Sequence, residues 1–201
     1  MKEFNVVLVG VGGQGTLLAA EILGTAAVKD GLNVRVSEIH GMAQRGGAVT
    51  SEVRIGKSVL APTVMDGEAD VLLGFEPLET VRNLKYASRK TLVIMSDERI
   101  APIELAAKHK AYPNMKEILQ KIHVFTKRVA IVPTKKLTQK TGSTLTQNTI
   151  LIGALAACAK LPVKKVSLVD ALKELVPSKN LDLNIKAFEI GYANVKKKEA
   201  R

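Results

Sequence analysis

The sequence predicts an α/β fold: a Rossmann-like, doubly wound, mostly parallel sheet with an inserted antiparallel hairpin and a helical C-terminal part. Three observations predict it. Short apolar runs alternate with helical patterns, the first run enters a glycine-rich turn, and aromatic residues make up only 3%, so Val, Ile, Leu and Ala must build the core. The length of 201 residues and the even composition predict a single domain over residues 1–201.

The opening part of the chain reads as a βαβ unit. A first strand is predicted over residues 5–9, and residues 6–9 are all apolar, as in a strand that is covered on both faces. The apolar spacing predicts a helix over residues 16–30 with Gly31 as its C-cap, and a second strand follows over residues 33–37. Such a unit predicts a right-handed crossover between two neighbouring parallel strands.

The next segment predicts an antiparallel hairpin. Residues 49–55 alternate between apolar and polar side chains, which indicates a strand with one buried face. Gly56 suits the first position of a type II′ turn, and residues 59–64 are expected in the return strand. Pro62 restricts that return strand to an edge or a bulge.

The rest of the chain returns to a parallel α/β pattern. Strands are predicted over residues 71–73, 92–95 and in the region of 124–132, and helices over residues 77–86, 103–107, 115–120, 146–160, 166–176 and from 182 to the end. The polar residues 141–148 precede an apolar helix, and Ser143 or Thr146 is expected to cap it, although a ligand-facing role is the alternative.

Composition excludes several classes of site. The single cysteine, Cys158, excludes an intramolecular disulfide, an all-cysteine zinc site and a four-cysteine iron–sulfur cluster on this chain, and it fits a cytoplasmic protein. The three histidines form no close pair, so no metal site is expected. The longest apolar run, residues 150–159, is shorter than the ~20 residues that cross a bilayer, so no membrane partner is expected.

The net charge of +11 indicates a solvated basic face or a protein partner. Single-stranded nucleic acid is bound on aromatic platforms, and aromatic residues do not accompany the lysines here, so no nucleic-acid partner is expected.

The strongest local motif is the turn after the first strand. Gly10, Gly12 and Gly15 fit G-x-G-x-x-G between a strand and a helix, and Gly13, Gln14 and Thr16 complete it. Glycines let a ligand approach the main chain, and the amides at a helix N-terminus favour an anion. A tight turn that binds nothing would also need these glycines.

A second unusual loop follows the second strand. Glu38 lies where a dinucleotide site places its ribose-binding acid, which favours NAD, although pairing with Arg45 or with backbone amides would also explain it. Arg45, Gly46 and Gly47 combine a guanidinium with an accessible backbone, which suits a carboxylate or phosphate. His40 could titrate or donate a hydrogen bond in the same loop.

Three blocks together resemble a known family. They are GVGGQGTLLAAEIL, SEIHGMAQRGGAVTSEVRIG and NTILIGALAACAKLP, in that order. They resemble the gamma-type subunit of the 2-oxoacid:ferredoxin oxidoreductases, which belong to the pyruvate oxidoreductase family, and within it most closely the small (beta) subunit of the indolepyruvate enzymes. The middle block, with HGMAQRGG, discriminates best.

The resemblance implies a coenzyme A-dependent oxidative decarboxylation of a 2-oxoacid to acyl-CoA, with ferredoxin as electron acceptor. Thiamine diphosphate, Mg and [4Fe-4S] clusters are then expected on a large partner subunit, since this chain also lacks the Gly-Asp-Gly signature of thiamine enzymes. No catalytic role is transferred to His40 or Arg45. A homodimer of heterodimers is the expected assembly.

Residues 10–16 and 38–47 are expected to line one crevice at the carboxyl ends of the first two strands and to contact coenzyme A or the partner. Two alternatives stay open at this point: a free-standing NAD(P)-binding oxidoreductase, and a scaffolding subunit whose glycine-rich loops shape an interface.

Overall fold

A six-stranded sheet forms the centre of the fold in the computed structural model, which describes residues 3–41, 46–101 and 111–199. The strands are β1 (Phe4–Val11), β2 (Asn33–His40), β3 (Ala48–Gly56), β4 (Val71–Gly74), β5 (Leu92–Ser96) and β6 (Val129–Val132). The helices of these ranges are α1 (Thr16–Lys29), α2 (Pro77–Arg82), α3 (Met115–Phe125), α4 (Thr134–Thr141), α5 (Gln147–Cys158), α6 (Lys165–Leu175) and α7 (Leu181–Glu199).

The strand order is β2-β3-β1-β4-β5-β6, and the fold class predicted from the sequence is confirmed. Strands β1, β4, β5 and β6 run parallel, while β3 is antiparallel to both of its neighbours. The parallel strands are mostly apolar, with Asn5 and Ser96 as buried polar residues near their ends, because helices cover both faces of the sheet. Pro77 begins α2, and Gly31, with φ 72°, follows α1, both as the sequence indicates.

The predicted pairing of the first two strands is wrong. Strand β3 lies between β1 and β2, so that Val53 is opposite Val6 on one side and Val36 on the other. Val53 and Ile55 are fully buried, and the central position satisfies the hydrogen bonds on both edges of β3. The antiparallel hairpin of this fold is therefore β2–β3, joined by the loop that follows His40.

The predicted return strand over residues 59–64 is also wrong. The backbone of this segment is bound by the side chains of β3 and not by the backbone of a neighbouring strand. The Arg54 guanidinium donates through Nη1 to the carbonyls of Ala61 and Thr63, at 2.9 and 3.0 Å. The Glu52 carboxylate accepts from the Val64 amide at 2.6 Å. Pro62 has no amide to donate to a ladder, which agrees with this arrangement.

Smaller differences concern the middle of the chain. Val124 belongs to α3 and is 79% exposed, and the next strand begins only at Val129. The helical piece predicted over residues 103–107 lies outside the described residues. The three C-terminal helices are confirmed. The capping prediction is wrong for α5, because its N-cap Thr146 makes no side-chain capping hydrogen bond, and Ser143 instead caps the 3₁₀-helix Thr144–Thr146 by accepting from the Leu145 amide at 3.3 Å.

Two helical layers cover the sheet. Helices α1, α5, α6 and α7 pack on one face, and α2 and α3 on the other. The chain leaves β1 toward the first face and leaves β4 toward the second. The carboxyl ends of β1 and β4 therefore form the switch point of the sheet, which is where α/β folds of this kind bind ligands.

Candidate functional site: a glycine crevice at the switch point

The glycine turn between β1 and α1 depends on glycine at several positions. Gly13 has φ 102° and Gly15 has φ 76°, conformations that L side chains rarely adopt. A Cβ on Gly15 would lie 2.6 Å from Asn148 Nδ2, and one on Gly10 would lie 2.8 Å from Phe75 Cβ. A Cβ on Gly13 would meet nothing within 4 Å, so this glycine faces open space and lets another molecule approach the main chain.

The start of α1 presents amides at this turn that have no partner inside the helix. Gly15 is the N-cap and supplies no side-chain acceptor, and the first turn of the helix contains no acidic residue. The first amides of an α-helix have no partner inside the helix, and the positive end of the helix dipole lies among them. This end of α1 therefore has the chemistry of an anion site.

Two glutamines lock the turn to the switch point. Gln14 accepts from the Val11 amide at 2.8 Å and donates to the Phe75 carbonyl at 3.0 Å and to Gln147 Oε1 at 3.3 Å. Gln147 donates to the same Phe75 carbonyl and to Ser96 Oγ, each at 3.0 Å. The ends of β1, β4 and β5 and the start of α5 are thus fixed relative to one another.

These elements enclose a crevice of about 310 Å³, lined by Gly12, Gly13, Gln14, Gly15, Ile100, Thr144, Leu145 and Gln147. Leu145 is 82% exposed and forms an apolar rim. A second cavity of about 410 Å³ shares Thr144 and continues toward Glu98, Lys135 and Gly142. Burial, and then repulsion by Asp97, raises the pKa of Glu98, while Lys135 opposes the shift.

A buried carboxylate positions Ile100 in the crevice. Glu76, fully buried after β4, caps α2 by accepting from the Glu79 amide at 2.9 Å. Its other oxygen accepts from the Ile100 amide at 3.3 Å and from the Tyr112 hydroxyl. Burial and the bond to Glu76 raise the pKa of Tyr112, which keeps its hydroxyl protonated as a donor.

The structure brings together only part of the site predicted from sequence. Gly12, Gly13, Gln14 and Gly15 line the crevice, while Gly10 and Thr16 lie beneath it with Thr16 buried. Gly47 reaches the turn, because its carbonyl accepts from the Gly12 amide at 2.9 Å.

The second predicted loop is placed differently. Gly46, with φ 75°, stands next to Gly47, and Arg45 lies outside the described residues. Glu38 is on the edge strand β2, opposite Ser51, so β3 separates it from the glycine turn. A ribose-binding acid sits on the strand next to the turn in a dinucleotide site, and the strand order therefore contradicts that reading of Glu38.

Gln147, Ile100 and Leu145 were not singled out from the sequence as crevice residues. Leu145 and Gln147 lie in the run of residues 141–148, for which a ligand-facing role was the alternative to helix capping. Nothing near Ile100 in the sequence marks it.

No cluster of three His, Cys, Asp or Glu that could hold a metal occurs in the ranges that the structure describes. Helices of the same ranges include none that is long and apolar enough to cross a membrane.

The fold and the crevice define an α/β domain with a glycine-turn crevice at the switch point of a mixed sheet. The chain belongs to the pyruvate ferredoxin/flavodoxin oxidoreductase family, whose model matches residues 5–194. It is a gamma-type subunit of the 2-oxoacid:ferredoxin oxidoreductases, as the resemblance of its three sequence blocks predicts.

A relative from Archaeoglobus fulgidus, described as indolepyruvate oxidoreductase subunit IorB, is 41% identical over 190 residues and 94% of each chain. A keto/oxoacid ferredoxin oxidoreductase gamma subunit from Geobacter sulfurreducens has the same fold, with a TM-score of 0.70, 23% identity and coverage of 96% of this chain and 99% of that one. The 2-oxoglutarate:ferredoxin oxidoreductase from Magnetococcus marinus has a TM-score of 0.75 at 18% identity, covering 98% of this chain and 32% of its own.

Proposed function

We propose that this chain is the small subunit of an oxidoreductase that converts indolepyruvate, or another aryl pyruvate, to the corresponding acyl-CoA. The 41% identity with the Archaeoglobus fulgidus subunit IorB over 94% of both chains carries this proposal. The whole chain acts as one gamma-type domain, and the complex works in the cytoplasm as a homodimer of heterodimers.

The proposed reaction is balanced by two one-electron acceptors. The bond between the carboxylate and the keto carbon breaks and releases CO2, and the keto carbon forms a thioester with the sulfur of coenzyme A. The thiol proton leaves, and two oxidised ferredoxins each accept one electron; iron–sulfur clusters on the partner subunit would carry these electrons. Thiamine diphosphate, when bound, stabilises the carbanion formed on decarboxylation.

The cofactors are assigned to a large partner subunit. This chain has one cysteine, whereas a [4Fe-4S] cluster is held by four, and it has no Gly-Asp-Gly segment to hold thiamine diphosphate through Mg. Its own contribution is binding and orientation, and no residue of the chain is proposed as catalytic.

The crevice is proposed to hold phosphate groups of coenzyme A. Support comes from the amides at the start of α1, which have no partner inside the helix, and from the open approach at Gly13, beside which Gly12 also lines the crevice. Gln14 and Gly15 fix the turn, while Gly10 and Thr16 close it from below. Gly47 borders the turn, since its carbonyl accepts from the Gly12 amide, and Gly46 and Arg45 are proposed to contribute to the same coenzyme A site, Arg45 as a cation. Glu38 is left out of the proposed site because β3 lies between its strand and the glycine turn.

Leu145→Glu tests the proposal, because it places a carboxylate on the crevice rim at a side chain that is already 82% exposed. A charge pair about 7 Å apart at an effective dielectric constant of about 40 repels by about 1 kcal/mol. We expect the KM for coenzyme A to rise about fivefold in the reconstituted complex, with kcat unchanged. Leu60→Glu, at a side chain 87% exposed outside the crevice, is the matched control.

An unchanged KM for coenzyme A in Leu145→Glu would contradict the proposed role of the crevice. If assembly with the large subunit is lost instead, the glycine turn shapes an interface and the scaffolding alternative is correct.

A further inference from the structure

The end of the sheet at which the parallel strands begin, opposite the glycine crevice, carries a basic groove. The basic groove is defined here as three adjoining cavities at the amino ends of these strands. The largest, of about 610 Å³, lies along residues 127–131, where β6 begins, and is closed by Cys158 and Val195. A cavity of about 160 Å³ shares Leu92 and Arg128 with it. A third, of about 370 Å³, shares Asp70 and Lys90 with the second.

The rim of the basic groove is cationic, formed by Arg89, Lys90, Lys127, Arg128 and Lys160. All five residues are exposed, and none of them forms an ion pair with a carboxylate in residues 3–41, 46–101 and 111–199. Two acidic residues, Glu68 and Asp70, line one end of the groove. The Asp70 carboxylate accepts a hydrogen bond from the backbone amide of Asn5 at 2.8 Å.

The topology of the sheet explains why these cations meet. Each follows the end of a helical segment: Lys127 after α3, Lys160 after α5, and Arg89 after the short 3₁₀-helix Leu84–Tyr86. The 3₁₀-helix leads into β5 and α3 leads into β6, and these two parallel strands begin side by side. Helix α5 starts at the switch point and therefore ends near the amino ends of the strands, where Lys160 and Leu92 line the same cavity. Helix dipoles stabilise cations at these ends, but they do not account for the cavities between them.

The floor of the groove distinguishes between partners. Leu92, Val129, Ala130 and Val195 give it an apolar surface beneath the charged rim. An apolar centre with a charged rim is the anatomy of a lasting protein–protein interface. Single-stranded nucleic acid would need exposed aromatic side chains beside the cations, and the only aromatic residue of the lining is the half-buried Phe4 of the small middle cavity.

We propose that the basic groove docks an acidic segment of the large subunit, separately from the crevice at the opposite end of the strands. This inference rests on the proposed function, which supplies a permanent partner. Charge complementarity accelerates and orients such an association, and apolar burial makes it last.

The test uses the full chain and the large subunit of the same oxidoreductase. The groove variant is Lys90→Glu/Lys127→Glu/Lys160→Glu, and the control variant Lys116→Glu/Lys179→Glu/Lys186→Glu makes the same change of charge at exposed positions outside the groove. Arg128 is left in place because it donates to the Lys90 carbonyl at 2.6 Å. Association is measured by surface plasmon resonance at two salt concentrations.

We expect the groove variant to bind the large subunit at least about tenfold more weakly at physiological salt, and the control within about threefold of the unmodified chain. Equal affinity of the two variants would overturn the inference. The inference would also be overturned if the groove variant assembled normally but no longer reduced ferredoxin. The same holds if the unmodified chain bound RNA and the groove variant did not, because the groove would then serve a different partner. If the unmodified chain does not bind the large subunit at all, the proposed function itself fails.

Discussion

Replacing Gly15 by alanine tests whether the glycine turn is built against α5. The substitution forces an L residue to adopt φ 76° and sets its Cβ 2.6 Å from Asn148 Nδ2. The left-handed conformation costs about 1 kcal/mol, and moving the Asn148 side chain from its rotamer costs about another 1 kcal/mol. We therefore expect Gly15→Ala to lower the free energy of unfolding by about 2 kcal/mol.

Gly142→Ala is the matched control, because Gly142 has φ 81° and a Cβ there would meet nothing within 4 Å. Its free energy of unfolding should fall only by the cost of the left-handed backbone conformation, about 1 kcal/mol. The assay is urea denaturation of the purified chain, with the thermal midpoint as a second measure. A loss of 2 kcal/mol corresponds to a shift of about 6 °C for a chain of this size.

Combining Gly15→Ala with Asn148→Ala separates the two contributions. The double variant should lose less than the sum of the single losses, because the second substitution removes the atoms that the new Cβ would meet. Additive losses, or a Gly15→Ala variant as stable as Gly142→Ala, would refute the packing of the turn against α5.

Two further predictions concern the buried Glu52, whose carboxylate accepts from the Val64 amide at 2.6 Å and from the Tyr86 hydroxyl at 2.9 Å. In Glu52→Gln the new NH2 group faces one of these two donors, so one hydrogen bond is lost. We expect the free energy of unfolding, measured by urea denaturation, to fall by about 2 kcal/mol. A change below about 0.5 kcal/mol would contradict this role of Glu52. Burial and then the bond to Glu52 raise the pKa of Tyr86 to about 12 from 10.0, so this group stabilises the fold fully below pH 10.0 and loses that contribution as the pH rises toward 12. The free energy of unfolding should therefore fall between pH 9 and pH 11, and it should fall less in Tyr86→Phe than in the unmodified chain. The pKa of Tyr112 is also raised, so Tyr112 accounts for part of the fall that remains in the variant. Equal falls in the two proteins would contradict the raised pKa of Tyr86.

The elements that repeat a local pattern were predictable from the sequence. Gly10, Gly12 and Gly15 marked the strand–turn–helix unit, and the alternation of residues 49–55 marked a strand. That alternation shows which side chains share a face, but it does not show which strands lie alongside. The position of β3 between β1 and β2 therefore could not be inferred.

The candidate site was predictable where it consists of consecutive residues and not where it consists of distant ones. The turn itself could be found from its glycines. Its partner Gln147 is separated from Gln14 by 133 residues, and Ile100 is placed by a hydrogen bond to Glu76 from 24 residues away. Such contacts follow from the order of the strands, which local spacing does not encode. Glu38 shows the opposite case: its spacing along the sequence favoured a ribose contact, but its strand, β2, is not adjacent to β1.

Hydrogen–deuterium exchange on the assembled complex, with and without coenzyme A, tests the central claim most directly. We expect slower exchange at the amides of residues 12–18 and 144–147 when coenzyme A is present, and no such change at residues 127–131 at the opposite end of the strands. Unchanged exchange at the glycine turn, in a complex that still forms acyl-CoA, would contradict it.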